Sequence, residues 1–201
     1  MKLILVRHGN TFGPDDKVVW VGARSDLDLV EKGRAQAKEV GETMKAATIR
    51  PDCVVCGPLK RTRQTASIMA ETAGWLDLEP QVNDALCEID YGAWEGRSND
   101  DIRKAHGDRD IDGWQKSSLW PEGYGWTPSP EAILNGWNAM IASIEEQHGP
   151  DATAVIVTSN GILRMAAPTY GIKAEEAKVG TGHICVIENG TVALWNTRSL
   201  V

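Results

Sequence analysis

The chain has no basic surplus: 21 Lys and Arg stand against 28 Asp and Glu, for a net charge of −7 at pH 7. Nucleic acid and anionic membrane surfaces both demand a broad basic face, so neither is expected as a partner, and any anion site must be local. Long hydrophobic runs are missing too. The consecutive apolar residues 3–6 ahead of Arg7 are too few for a secretory core, and no later stretch could cross a bilayer, so a cytoplasmic protein is expected. Cysteine is scarce, at four residues. Cys53 and Cys56 have the spacing of a redox or zinc pair, yet residues 52–56 read as a buried strand whose positions three apart face opposite ways. No second pair or histidine cluster completes a metal site, so all four cysteines read as core thiols. Phenylalanine is nearly absent, one residue against eight tryptophans. Nothing in the sequence alone accounts for that imbalance.

What is present is a repeated strand-to-helix pattern. At 201 residues the chain fits one domain, residues 1–201, able to bury roughly 70% of its unfolded surface. Residues 2–6 form an apolar strand that runs into Arg7-His8-Gly9. Residues 30–47 have helical periodicity, with Val30, Ala37, Val40 and Met44 sharing a face. Residues 53–56 are a second strand, followed by Gly57-Pro58 and an amphipathic helix through Arg61, Thr65, Ile68 and Met69 that stops near Gly74. The unit recurs at 152–158, where Asn160-Gly161 breaks the strand and 162–170 reads as a helix interrupted by Pro168. Asn189-Gly190, between the runs 183–188 and 191–196, signals a terminal hairpin. These elements predict a three-layer α/β/α sandwich whose mostly parallel sheet ends in an antiparallel edge strand. Around residues 97–130 the pattern loosens into a Trp-, Gly- and Pro-rich stretch that reads as an inserted lid, its tryptophans a small core of their own.

In parallel α/β sheets, ligands gather beyond the carboxyl ends of the strands, where Arg7 and His8 would stand. A guanidinium matches phosphate oxygens in pairs, and a neutral imidazole is a good nucleophile near pH 7. Gly9 would let backbone approach a ligand. The second junction offers Lys60, Arg61 and Arg63, with Arg61 at a helix start whose free N–H groups favour an anion. In the segment 86–96, Glu88 is an acid that could protonate a leaving oxygen once burial raises its pKa.

Together these strings resemble the histidine phosphatase superfamily, the phosphoglycerate mutase-like family. Residues 5–11 (LVRHGNT) look like its nucleophile motif, 29–33 its first-helix start, and 58–66 (PLKRTRQTA) its second phosphate arginine. Residues 88–96 are similar to its acid segment and 157–164 (VTSNGILR) to its final core motif. The resemblance implies that His8 attacks phosphorus in line to form a phosphohistidine, while Arg7 and Arg61 hold the equatorial oxygens. Glu88 would protonate the departing alcohol and then activate water, with no metal and no cofactor. The implied partner is a small phosphorylated substrate, and self-association into a homodimer is compatible with the sequence.

The main departure is Asn160, where the family has a second histidine. Its amide can still donate to a phosphoryl oxygen, and Gly161 can offer its backbone N–H, but an imidazolium charge is lost, at a cost of roughly 1.5–3 kcal/mol. A slower or altered phosphatase and a phosphate-binding relative without catalysis both remain open on that basis. The 97–130 stretch is shorter than mutases of the family usually carry, which favours hydrolysis over phosphoryl return. Gly13-Pro14 stands where relatives often have Trp-Asn. Arg24 and Arg97 read as solvated loop residues, with contact to an acidic substrate as the alternative, and His183 has no assigned role.

Overall fold

The computed structural model describes residues 1–200. A six-stranded sheet organises them: β1 (Lys2–Arg7), β2 (Cys53–Cys56), β3 (Gln81–Val82), β4 (Thr153–Thr158), β5 (Ile184–Glu188) and β6 (Thr191–Thr197), in spatial order β3-β2-β4-β1-β5-β6. β3, β2, β4 and β1 run parallel, and β5 pairs antiparallel with both β1 and β6. The predicted fold class holds, with one adjustment. The antiparallel strand β5 lies one position in from the edge, because the Asn189-Gly190 turn folds β6 back outside it. Both turn residues have positive φ, 50° and 76°, the geometry that closes a two-residue hairpin.

Strand alternation divides the interior into two cores. Ile4, Val6, Val54, Cys56, Val155 and Val157 face α1 (Glu31–Ala46) and α2 (Lys60–Ala73), packing on Val40, Met44 and Met69. Leu3, Leu5, Cys53, Val55, Ala154 and Ile156 face the other layer, where α5 (Pro130–His148) contributes Ile133, Trp137 and Met140. Cys53 and Cys56 therefore point to opposite cores, as a period of two requires, and both are free thiols. Burial pushes each thiol up to about 11.

Helices α3 (Asn99–His106) and α4 (Arg109–Ser117) lie within the stretch read as irregular. α3 starts on a reciprocal Ser98–Asp101 capping box, and Ser129-Pro130 opens α5. The tryptophans here do not form a core of their own. Trp114 and Trp126 are buried and stack edge-on at 4.9 Å, and Trp126 meets Trp94 at 5.1 Å and Tyr91 at 4.7 Å, continuous with the core under the sheet. Wide indole rings bridge the gap between sheet and short helices that a smaller ring would leave open. β4 ends at Thr158 as expected, and Asn160-Gly161 themselves open the helix that follows, two residues earlier than the predicted start, as α6 (Asn160–Ala166), which continues into a 3-10 turn at Ala167–Tyr170.

Gly9 has a packing role in the fold. A Cβ there would lie 2.3 Å from the Gly33 carbonyl oxygen, and one on Gly33 would lie 2.1 Å from that of Asn10. The loop after β1 thus rests directly on the backbone of α1, and neither glycine leaves room for a methyl group. Gly33→Ala is expected to destabilise the chain by about 1–3 kcal/mol, the usual cost of overpacking, read as a lower urea midpoint. An unchanged midpoint would contradict the contact.

Candidate active site

Three strands end side by side, and the turns that follow them converge. Arg7 pairs with Thr158 across β1 and β4, and the His8 N–H donates to the Thr158 carbonyl at 3.0 Å. At the end of β2, the Gly57 N–H donates to the Val157 carbonyl at 3.1 Å, delivering the chain to Arg61 in the first turn of α2. A fourth segment closes over this edge, where the Gly182 N–H bonds the Arg7 carbonyl at 3.1 Å.

His8 is 7% exposed and its Nδ1 lies 2.7 Å from the Gly9 carbonyl oxygen. A carbonyl only accepts, so Nδ1 carries the proton and Nε2 keeps its lone pair. Burial first, then the charges of Arg61 and Arg7, hold the imidazole well below its usual 6.5. A neutral ring in a cationic surrounding results.

The guanidiniums are anchored by backbone. Arg61, 1% exposed, donates from Nη1 to the Ser25 carbonyl at 2.7 Å and from Nη2 to that of Gly22 at 3.1 Å. Arg7 donates from Nη1 to the Val179 carbonyl at 2.6 Å. The Nε groups of both arginines are buried without a protein acceptor. Buried donors in that condition are rare and are satisfied by whatever anion or water enters.

Glu88 is 5% exposed, and burial raises its carboxyl above the usual 4.5 against the opposing pull of Arg61, the Ile89 and Gly161 amides, and Arg7. Its Oε1 accepts from the Ile89 N–H at 3.0 Å and its Oε2 from the Gly161 N–H at 3.2 Å. The Gly161 amide, expected to face the ligand, is thus committed to Glu88. It is one of the first N–H groups of α6, which have no intrahelical partner. Glycine is required there by space, because a Cβ would fall 2.3 Å from Glu88 Oε1 and 2.9 Å from the Tyr91 hydroxyl.

Asn160 uses its side-chain oxygen to accept from the Val179 N–H at 3.0 Å. That bond turns the amide NH2 away from Val179 and leaves it without a partner among the described residues. Val179 is therefore shared, its carbonyl holding Arg7 and its N–H holding Asn160.

The structure brings Arg7, His8, Arg61, Glu88, Asn160 and Gly161 to one sheet edge and leaves other candidates outside it. Lys60 is exposed, 3.4 Å from Asp28, and Arg63 and Arg97 are exposed. Arg24 braces the acid segment, with Nε 3.0 Å from Asp90 and Nη2 bonded to the Gly92 carbonyl at 2.5 Å. His183 pins the β5–β6 hairpin through Asn196 and Arg198. Sequence reasoning missed Thr65, whose hydroxyl accepts from the Gly9 N–H at 3.1 Å and donates to the Arg61 carbonyl at 2.7 Å, coupling the two phosphate-type motifs. It also missed Tyr91, pushed well above the usual phenol range by burial and then by Glu88, and Arg164, which bonds the Trp114 and Gln115 carbonyls and lies 5.1 Å over the Trp114 ring. Both sit inside the quoted motifs, so polar residues buried in those strings were the available signal. Among the described residues no group of three or more His, Cys, Asp or Glu side chains is placed to hold a metal ion. No helix is long and apolar enough to cross a membrane.

The low imidazole pKa has a consequence for stability. The unfolded chain takes up a proton near pH 6.5 that the folded chain refuses, so His8 costs stability as pH falls below about 6.5. Glu88 acts in the opposite sense: its contribution is whole below about pH 4.5 and is lost as pH rises through its folded value. His8→Gln is expected to flatten the loss of stability between about pH 6.5 and 5 by up to about 1.4 kcal/mol per pH unit, measured by urea unfolding. A slope equal to that of the wild type would show that the ring is not held neutral.

Comparison with known proteins gives a consistent picture. A profile of the histidine phosphatase superfamily (branch 1) matches residues 3–189. The 2,3-bisphosphoglycerate-dependent phosphoglycerate mutase of Mesorhizobium japonicum is 30% identical over 175 residues, covering 79% of this chain and 81% of the mutase. That of Bartonella bacilliformis is 36% identical over 180 residues, covering 87% and 84%. Among solved structures, a mycobacterial glucosyl-3-phosphoglycerate phosphatase in complex with VO3 superposes with a TM-score of 0.80 at 21% identity, covering 98% of each chain. The alpha-ribazole phosphatase of Shigella flexneri superposes with a TM-score of 0.71 at 23% identity, covering 100% of this chain and 98% of that one. At such identities the superpositions speak for the fold.

Proposed function

The chain belongs to the histidine phosphatase superfamily (branch 1), and on that footing we propose that it is a phosphomonoesterase, hydrolysing a small phosphorylated metabolite through a phosphohistidine on His8. The observation that carries this reading is the His8 Nδ1–Gly9 carbonyl bond in a buried, cationic setting, which leaves a neutral ring with Nε2 free to attack.

Nε2 forms the bond to phosphorus as the ester oxygen leaves, and that oxygen takes the proton held by Glu88. Burial favours the protonated carboxyl needed for this step, and the nearby guanidiniums keep its pKa from rising so far that it cannot give the proton up. Water then passes a proton to the Glu88 carboxylate and adds to phosphorus as the P–N bond breaks. His8 returns neutral and Glu88 protonated. Arg7 and Arg61 supply fixed positive charge around the equatorial oxygens, with their backbone anchors removing the need to reorganise. The free Asn160 NH2 donates to one of those oxygens in place of an imidazolium.

A second reading is phosphoryl transfer back to a phosphoglycerate, which the mutase names of the 30–36% identical relatives favour. A panel of phosphate esters separates the two. Phosphate release by the wild type, its loss in His8→Ala, and an acid-labile phosphohistidine trapped in the wild type are the expected results. Transfer between positions of phosphoglycerate without net release would replace hydrolysis by the mutase reading, and binding of phosphate without any adduct would remove both. Asn160→Asp keeps the acceptor for Val179 but loses the donor and adds charge. It is expected to lower kcat/KM about ten- to a hundredfold, and unchanged kinetics would place the amide away from the phosphoryl oxygens.

A further inference from the structure

Lys178 is carried on a fixed stretch of chain beside the site. Ala177 and Val179 on either side of it are both 0% exposed. The Val179 backbone is held twice, by Asn160 at 3.0 Å and by Arg7 at 2.6 Å. Lys178 is itself exposed, and among the described residues it forms no ion pair or hydrogen bond. Glu175 and Glu176 of the same loop are not paired with it.

Its charged neighbours are cations. Partial burial first, then Arg164 and Arg7, hold the ammonium below the usual lysine range. Arg164 has spent its Nη groups on the Trp114 and Gln115 carbonyls, while its Nε is buried without a partner. Around this edge stand four cationic groups, Arg7, Arg61, Arg164 and Lys178, and one buried acid, Glu88, in a protein that is acidic as a whole. Like charges gathered at one place cost free energy unless anions enter, and with Glu88 protonated for its acid role a phosphoryl dianion offsets only two of the four positive charges.

We propose that the substrate carries a second anionic group besides the reacting phosphate, and that Lys178, on the lip formed at Val179, binds that group and sets specificity. This rests on the phosphomonoesterase reading. The lysine needs no part in the chemistry, since a flexible four-carbon stem on the residue next to Val179 has the length to meet a group a few bonds beyond the phosphoryl position.

Three esters sharing a glycerol skeleton provide the test: glycerol 3-phosphate with a neutral end, 3-phosphoglycerate with a carboxylate, and glycerol 1,3-bisphosphate with a second phosphate. The wild type is expected to prefer one or both anionic esters, and which one identifies the second group. Lys178→Met is expected to lower kcat/KM for the preferred anionic ester about tenfold, through KM, and to leave glycerol 3-phosphate unchanged. Lys178→Arg should retain the preference. Equal losses on all three esters, or a selectivity untouched in Lys178→Met while phosphate is still released, would overturn the role of Lys178 alone. No release from any ester by the wild type would instead sink the phosphomonoesterase reading, and this inference with it.

Discussion

The hydrogen bond from His8 Nδ1 to the Gly9 carbonyl, closed within one dipeptide, is the constraint around which the site is arranged. It sets the tautomer, and with the tautomer the nitrogen that is available for bonding. The bond has value only if the ring stays neutral and the dipeptide stays still. Burial and two guanidiniums secure the first condition. The second comes from packing: Gly9 lies against the Gly33 backbone, its N–H is held by Thr65, and the following Asn10 N–H is held by Gln36 at 2.8 Å. The helices α1 and α2 therefore do more than cover the sheet, since each supplies a side chain that fixes the loop after β1.

Charge is distributed with similar economy. An acidic protein concentrates buried guanidiniums at one sheet edge and spends backbone carbonyls, those of Gly22, Ser25, Val179, Trp114 and Gln115, to hold them. Carbonyl anchors keep arginines in place without neutralising them, whereas carboxylate partners would cancel the charge that an incoming anion needs. Glu88 is the exception, and its two oxygens are occupied by amide hydrogens rather than by a guanidinium. That arrangement keeps the acid close to the cations without pairing it to them. Asn160 fits the same logic: its oxygen is used structurally by Val179, and its NH2 remains a donor.

The aromatic stretch explains part of the unusual composition. Five of the eight tryptophans, Trp20, Trp94, Trp114, Trp120 and Trp126, join one edge-to-face cluster with Tyr91. Tyr91 and Trp94 of the Glu88 segment belong to this cluster, and the short helix α4 braces that segment through Trp114, 6.5 Å from Tyr91. Tyr91 is the joint between the two, with its ring in the cluster and its hydroxyl beside Gly161.

Local periodicity was enough to make β1, β2, β4, α1 and α2 legible, because alternation and helical spacing are written in neighbouring residues; even the opposite facing of Cys53 and Cys56 followed from a period of two. The motif strings likewise put Arg7, His8, Arg61 and Asn160 in the turns after strands, and Glu88 in a separate acid segment. Contacts between distant segments carry no such signature. That Gly9 answers to Gly33, that the Gly161 amide serves Glu88, that Val179 links Arg7 to Asn160, and that Arg164 and Lys178 stand at the same edge are matters of which strands lie side by side. The sequence by itself determined the elements and the chemistry at their ends. Only the tertiary structure decided which donors are already taken and which remain free, because hydrogen-bond partners are chosen by proximity in space and not by order along the chain.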